Sequence, residues 1–373
     1  MRIFFLDTYY PDFLLACYAE NPYLSSQNYS SQHDYLINKL FGTSDFYSRH
    51  LRAMGHDAVD VIGNCFPLQK SWGKENLINF RNLGINFFEW LSQKKITARL
   101  TRKYHVLQGL LIEQIKSYKP DILYCQDLWF LKPNELNEIR PYVKLVVGQT
   151  ASPLPDESCL KAYDLILTSF PHFVPRIKSL GIPAEYFRIG FDEKIIQFLG
   201  HVEKDIDVSF VGGLSRHHRN ALELLEHLAK NTEIKFFGYG ANSLSKFSPI
   251  FPRHYGEVWG AEMYRSLARS RVTFNRHIKV AENYANNMRL YEATGVGSML
   301  ITDYKDNLGE IFEVGKEVVA YRNKDEAVDL IRYYTNHPDE AAKIAKAGQI
   351  RTLKEHTYKN RMSELAPILE KYI

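Results

Sequence analysis

The stretch NNMRLYEATGVGSMLITD, residues 286–303, reads as a short helix, a glycine stop and a buried strand. Arg289 and Glu292 stand three residues apart and so share one helical face. Asn286 and Asn287 fall at the helix start, where side-chain oxygens cap free N–H groups and the positive end of the dipole attracts anions. Gly295 suits a left-handed stop. A cation and a carboxylate on one face, beside an anion-binding helix tip, offer charge for phosphates and an acceptor for ribose hydroxyls. Those are the two needs of a nucleotide-linked sugar. The same pattern also describes an ordinary βα unit carrying a surface i,i+3 ion pair.

Outward from this stretch, short apolar runs alternate with amphipathic segments, the signature of βα units and parallel sheets. In the first half the spacing predicts strands at 3–6, 58–62, 122–125, 145–148 and 165–169, and helices at 46–54 and 101–116. The second half restarts with strands at 208–211, 234–237, 272–275, 299–302 and 318–320. Residues 187–202 carry fewer strand signals and read as a crossing linker, and the tail from 338 is helical with a break around 356–358. The expected architecture is α/β, with two doubly wound Rossmann-like domains facing a central cleft. Residues 1–188 form an acceptor-side domain, 189–355 a donor domain, and 356–373 a helix returning to the first domain. Ligands in such sheets bind beyond the carboxyl ends of the strands.

Length and composition agree. At 373 residues two domains are the natural count, and 45% apolar with 24% charged residues is a globular composition. A formal charge of +4 is too small to argue for nucleic acid. Cys17, Cys65, Cys125 and Cys159 show no metal or redox spacing, and Cys17 and Cys125 lie in apolar runs as buried thiols. The N-terminal apolar run is too short for a signal peptide, and no segment approaches the ~18 apolar residues of a membrane span. A cytoplasmic protein is expected. Residues 69–104 combine Trp72, Phe80, Phe87, Phe88 and Trp90 with Lys94, Lys95, Arg99, Arg102 and Lys103. That segment is either a peripheral contact for anionic lipid or an insertion helix with a solvated basic face.

Further residues fall at strand ends. In FVGGLSR, residues 210–216, Gly212 and Gly213 permit close backbone approach, and Arg216 precedes a helix. The run is neither a Walker loop nor GxGxxG, which disfavours a hydride-transfer cofactor. Gly238 closes the next strand, and Asn275, Arg276 and His277 follow another. In the first half Asp127 is placed for proton abstraction from an acceptor hydroxyl, or else caps a helix. Gln149 ends a strand, His33 lies with Asp34 in a polar loop, and His172 follows a strand. All three are candidate acceptor or sugar contacts.

The second half resembles GT-B glycosyltransferases with a "glycosyl transferases group 1" C-terminal domain, the group that includes spore-maturation-type proteins. The resemblance rests on Asn287-Met288-Arg289 with Glu292, on Gly295 to Asp303, and on Ala347-Gly348 through Glu355-His356-Thr357-Tyr358 to Arg361. It implies a transferase moving sugar from a nucleotide-sugar donor to a carbohydrate, lipid-linked or protein acceptor, with no cofactor or obligatory metal. It implies Glu292 on the donor ribose, Arg289 on the pyrophosphate and residues 212–216 as the diphosphate loop. Two departures stand out. Where retaining members carry a first glutamate this chain has Tyr284, with Glu282 out of register, and where many place a histidine it has Gln126. A nucleotide-sugar epimerase of the same fold and a catalytically silent glycan- or nucleotide-binding protein are the alternatives.

Overall fold

The computed structural model describes residues 1–79, 96–214 and 219–373, with the side chains of 96–105 and 219–221 left outside the description. The chain forms two compact units. One comprises Met1–Thr168, His172–Phe187 and Glu364–Ile373, and the other Ser169–Pro171 and Arg188–Ser363. The tail therefore changes unit at residue 364, rather than at 356.

The first unit is built on β1 (Arg2–Asp7), β2 (Asp57–Ile62), β3 (Ile122–Cys125), β4 (Leu145–Thr150), β5 (Leu165–Thr168) and β6 (Ala184–Tyr186). All pair in parallel, in the order β2-β1-β3-β4-β5-β6. Central strands covered on both faces must be apolar throughout, which is why Ile3 to Leu6 and Ile122 to Cys125 are all at most 2% exposed. The chain winds one way from β1 to β2 and the other way from β1 to β3, so the order reverses between β1 and β3. The crevice at such a reversal is where doubly wound sheets hold ligands. The short β6 was not expected, since AEY offers one buried side chain.

The second unit repeats the plan with β7 (Ile206–Val211), β8 (Lys235–Phe237), β9 (Ser270–Phe274), β10 (Met299–Asp303) and β11 (Val319–Tyr321). Their parallel order is β11-β10-β9-β7-β8, so here the reversal lies between β7 and β9. Val208, Phe210, Phe236, Phe274 and Ile301 fill the core with Leu225 and Leu228 of the helix Arg219–Asn231.

Residues 187–202 are not a simple linker. They contain the helix Lys194–Leu199, and Phe191 is 1% exposed. Phe191 N donates to His356 O at 2.8 Å and Tyr358 N to Phe191 O at 2.8 Å, so this crossing is laced to the turn between the helices Pro338–Glu355 and Tyr358–Tyr372. Arg361, fully buried, donates from Nε to Ile189 O at 3.0 Å and from Nη2 to His356 Nδ1 at 2.9 Å. A nitrogen that accepts from a guanidinium carries no proton, so Nε2 of His356 donates to Ile311 O at 2.9 Å. Burial, and then the nearby arginines, push the His356 pKa down to about 4.

Among the described residues no helix is long and apolar enough to cross a membrane. Of the segment 69–104, Trp72 lies in the helix Phe66–Glu75, while the other aromatic and basic side chains named above fall outside the described residues.

Candidate functional site

The stretch at 286–303 folds into the helix Met288–Gly295 and β10. Asn287 is the N-cap, and its Oδ1 accepts from Leu290 N at 3.2 Å. Its Nδ2 reaches Asn275 Oδ1 at 3.1 Å, and Asn275 in turn donates to Thr302 Oγ1 at 2.9 Å. This chain of amides ties the helix tip to the ends of β9 and β10. Asn286 is no cap. It is fully buried, donating to Ser169 O at 3.1 Å and accepting from Tyr291 OH at 3.0 Å. Gly295 is no left-handed stop either. It lies within the helix, where an added Cβ would sit 2.5 Å from the Phe191 ring. The left-handed residue is Gly297, at φ +75°.

Arg289 and Glu292 do share a face, and they are not on the surface. Arg289 Nη1 lies 2.8 Å from Glu292 Oε2, with side chains only 14% and 5% exposed. Tyr264 OH donates to Glu292 Oε1 at 3.4 Å. Burial raises the Glu292 pKa above the usual carboxylate value, against the opposing charge of Arg289 and the Tyr264 hydroxyl. At the ends of the same strands His277 and Asp303 pair, with Nδ1 to Oδ1 at 2.7 Å and the His277 backbone N on the same oxygen at 2.9 Å. Burial works against the Asp303 carboxylate, but the His277 bond and the Lys305 charge hold its pKa below the ordinary value.

The glycines at the ends of β7 and β8 have a packing reason. A Cβ on Gly238 would stand 1.8 Å from Gly212 O, and one on Gly213 2.9 Å from the Tyr239 ring. The close approach there is chain on chain: Gly212 N bonds Phe237 O at 2.9 Å and Leu214 N bonds Tyr239 O at 2.8 Å. Arg216 lies outside the described residues.

In the first unit, Asp127 follows β3 at the β1/β3 reversal. It caps no helix, since the next one, Pro133–Ile139, begins later. Its Oδ1 accepts from Trp129 N at 2.8 Å and its Oδ2 from Thr8 Oγ1 at 2.7 Å. Thr8 N donates to Asp7 Oδ1 at 2.7 Å, so one threonine bridges two carboxylates at the carboxyl ends of adjacent strands. Sequence reasoning missed Asp7; its one visible signal was an acid closing the first apolar strand. Burial raises its pKa to about 7, opposed by the Thr8 N–H and reinforced by the charges of Asp127 and Asp60. Gln149 is held by Tyr124 OH at 2.8 Å and Tyr47 OH at 3.1 Å. His33 lies in the helix Tyr29–Ile37 instead of a loop, bonded to Asp60 O at 2.9 Å, because Asn28 caps that helix. His172 precedes the helix Phe173–Ser179, its ring packed edge-on against Phe173. His33 and His172 are on separate elements from the Asp7–Thr8–Asp127 group.

Residues 216–366 match the family model described as "Glycosyl transferase-like". No curated protein matches the chain. Among solved structures, Anabaena HepE in complex with UDP-glucose aligns over 100% of both chains at 14% identity and a TM-score of 0.59. A glycosyltransferase from Rickettsia africae aligns over 100% of this chain and 98% of its own at 12% identity and TM-score 0.55. Sucrose-phosphate synthase from Thermosynechococcus elongatus covers 71% of this chain and 78% of its own, at 12% identity and TM-score 0.51. The match to a transferase family does not favour the epimerase alternative. With two parallel-sheet units, and the match to the "Glycosyl transferase-like" family confined to the second, the chain has the fold of GT-B glycosyltransferases.

Proposed function

We propose that the donor is a nucleotide-sugar held by the second unit, with Glu292 on the ribose hydroxyls and Arg289 on the pyrophosphate. The carrying observation is the buried Arg289–Glu292 pair one turn from the Asn287-capped helix tip. Buried ion pairs are costly to keep and seldom repay that cost in stability alone. A carboxylate with a raised pKa beside a guanidinium is a common mark of a binding site. Asn275 and Asn287 hold the helix tip in place, and Gly212, Gly213 and Gly238 shape the neighbouring turns. The UDP complexes of HepE support UDP-sugars as the first donors to test.

In transfer, the bond between the sugar's anomeric carbon and the diphosphate breaks, and the nucleoside diphosphate leaves with the electron pair. A bond forms from that carbon to the acceptor oxygen, whose proton passes to a base. In an inverting course Asp127 takes that proton, with Asp7 as the second carboxylate in reach of Thr8. In a retaining course the departing diphosphate oxygen takes that proton, so no dedicated base is required, and the donor contacts are unchanged. Arginine charge and the helix tip meet the leaving group electrostatically, without a metal. The acceptor is a carbohydrate hydroxyl, free, lipid-linked or on protein, with Gln149, His33 and His172 as candidate contacts.

Thermal-shift titration with UDP, GDP, ADP and their sugars tests the donor assignment. Stabilisation by one nucleotide series in the wild type, lost in both Glu292→Gln and Arg289→Met, is expected. Equal stabilisation in all three proteins removes the site. Donor binding with no transfer to any carbohydrate offered would favour the silent binding protein instead.

A further inference from the structure

We propose that Arg276, with His277 beside it, grips the diphosphate of the donor. This assignment rests on the nucleotide-sugar reading above. Arg276 lies two residues past the end of β9, at the β7/β9 reversal, and its carbonyl accepts from Nδ2 of the helix-capping Asn287 at 3.3 Å. Its position is thus fixed relative to the helix tip that attracts anions.

Its charge is what sets it apart. Arg276 Nε is buried without a hydrogen-bond partner, and the guanidinium enters no ion pair with the described residues. Asp303, the carboxylate whose charge acts on Arg276, is engaged by His277 at 2.7 Å and by Lys305 at 3.3 Å. Burial lowers the Arg276 pKa from the usual guanidinium value, offset in part by Tyr321 and Asp303. Taking a cation out of water without an anion beside it is unfavourable, and an anionic ligand supplies the missing partner. Arg289, by contrast, is already neutralised by Glu292. A diphosphate needs more positive charge than that shared arginine offers.

His277 adds a second, independent sign. Its side chain is 1% exposed and its Nδ1 is fixed by Asp303, yet Nε2 has no partner among the described residues. Two successive residues at one strand end therefore carry unpartnered buried nitrogens. A planar guanidinium fork matches phosphate oxygens, and an imidazole N–H can join it.

The test compares wild type, Arg276→Met and Arg276→Lys by calorimetric titration with UDP, with uridine as the probe lacking phosphate, and by melting without ligand. Arg276→Met is expected to melt at or above the wild-type temperature. It should bind UDP about ten- to hundredfold more weakly, the size of a lost charge-assisted contact, with uridine binding unchanged. Arg276→Lys should recover part of the UDP affinity. His277→Ala, as a second variant, should weaken UDP more than uridine. UDP affinity unchanged in the Arg276 variants, or uridine and UDP lost in parallel, overturns the assignment. If Arg276→Met fails to fold, the lysine variant decides it by the same UDP-to-uridine ratio. A wild type that binds UDP while the variants bind it equally well sinks this inference alone. A wild type that binds no UDP, GDP or ADP sinks the nucleotide-sugar reading, and this inference with it.

Discussion

The two units share one winding and differ in the charge set at the point where it reverses. Between β1 and β3 stand two carboxylates, Asp7 and Asp127, bridged by Thr8. Around β9 stand two arginines, Arg276 and Arg289, beside a capped helix tip. The sheet supplies only the crevice, and the residues placed just after the strands decide what it can hold. Carboxylates suit a neutral hydroxyl that must give up a proton; guanidinium groups suit a phosphorylated ligand. On the proposed function, the carboxylates would serve the acceptor hydroxyl and the arginines the donor.

The largest effect expected is on the cationic side. Arg289→Met leaves Glu292 buried without its partner and should cost about 3–5 kcal/mol in denaturant unfolding, much of it regained in the double variant with Glu292→Gln. A loss under about 1 kcal/mol would mean that the pair is solvated, and would weaken the contrast with the carboxylate side. Away from both reversals, His356 provides a control. Its folded pKa of about 4 lies below the unfolded value of 6.5, so the stability it contributes is fully present above 6.5 and is lost as pH falls toward 4. The loss should approach about 3 kcal/mol and be absent from His356→Gln, read by unfolding across that window. On the acidic side, Asp127→Asn should lower kcat about 10²-fold in an inverting enzyme with KM for the donor unchanged. A donor KM that moves with it would erase the division of labour between the units. A smaller change is expected from Asp7→Asn. The folded pKa of about 7 exceeds the unfolded 3.8, so wild type loses stability as pH rises between those values and the variant does not. Its advantage should grow to about 1–2 kcal/mol near pH 7 and then level, discounted for the partial exposure of the site. The smallest effect is Asn287→Ala, about 1 kcal/mol for a lost cap, with weaker UDP binding if the tip holds phosphate.

What the sequence made legible were elements decided locally. β3 and β5 are continuous apolar runs, and the Asn287 cap and the Arg289–Glu292 spacing are set within a single turn of chain. What it hid was decided by partners distant in the chain. GVG offers two glycines for one stop; Phe191, packed against Gly295, assigns the stop to Gly297. The identity of His33 says nothing of helix or loop, which the Asn28 cap settles. Asp7 looks like any acid after a strand until parallel pairing brings Asp127 to the same threonine. Arg276 was noticed only as a polar residue at a strand end. That its guanidinium pairs with no carboxylate among the described residues is a fact of three-dimensional neighbours alone.

The lacing of residues 189–191 to 356–361 bears on how the protein is made. Ile189 and Phe191 open the second unit, yet their backbone partners are His356, Tyr358 and Arg361. Lys371 and Tyr372 likewise reach back to Glu185 in the first unit, at 2.9 and 2.8 Å. On the ribosome, each unit must therefore hold a nearly finished sheet with an unfastened seam until residues past 356 emerge. Nascent chains released before that point are expected to be protease-sensitive at both seams, however complete their strands.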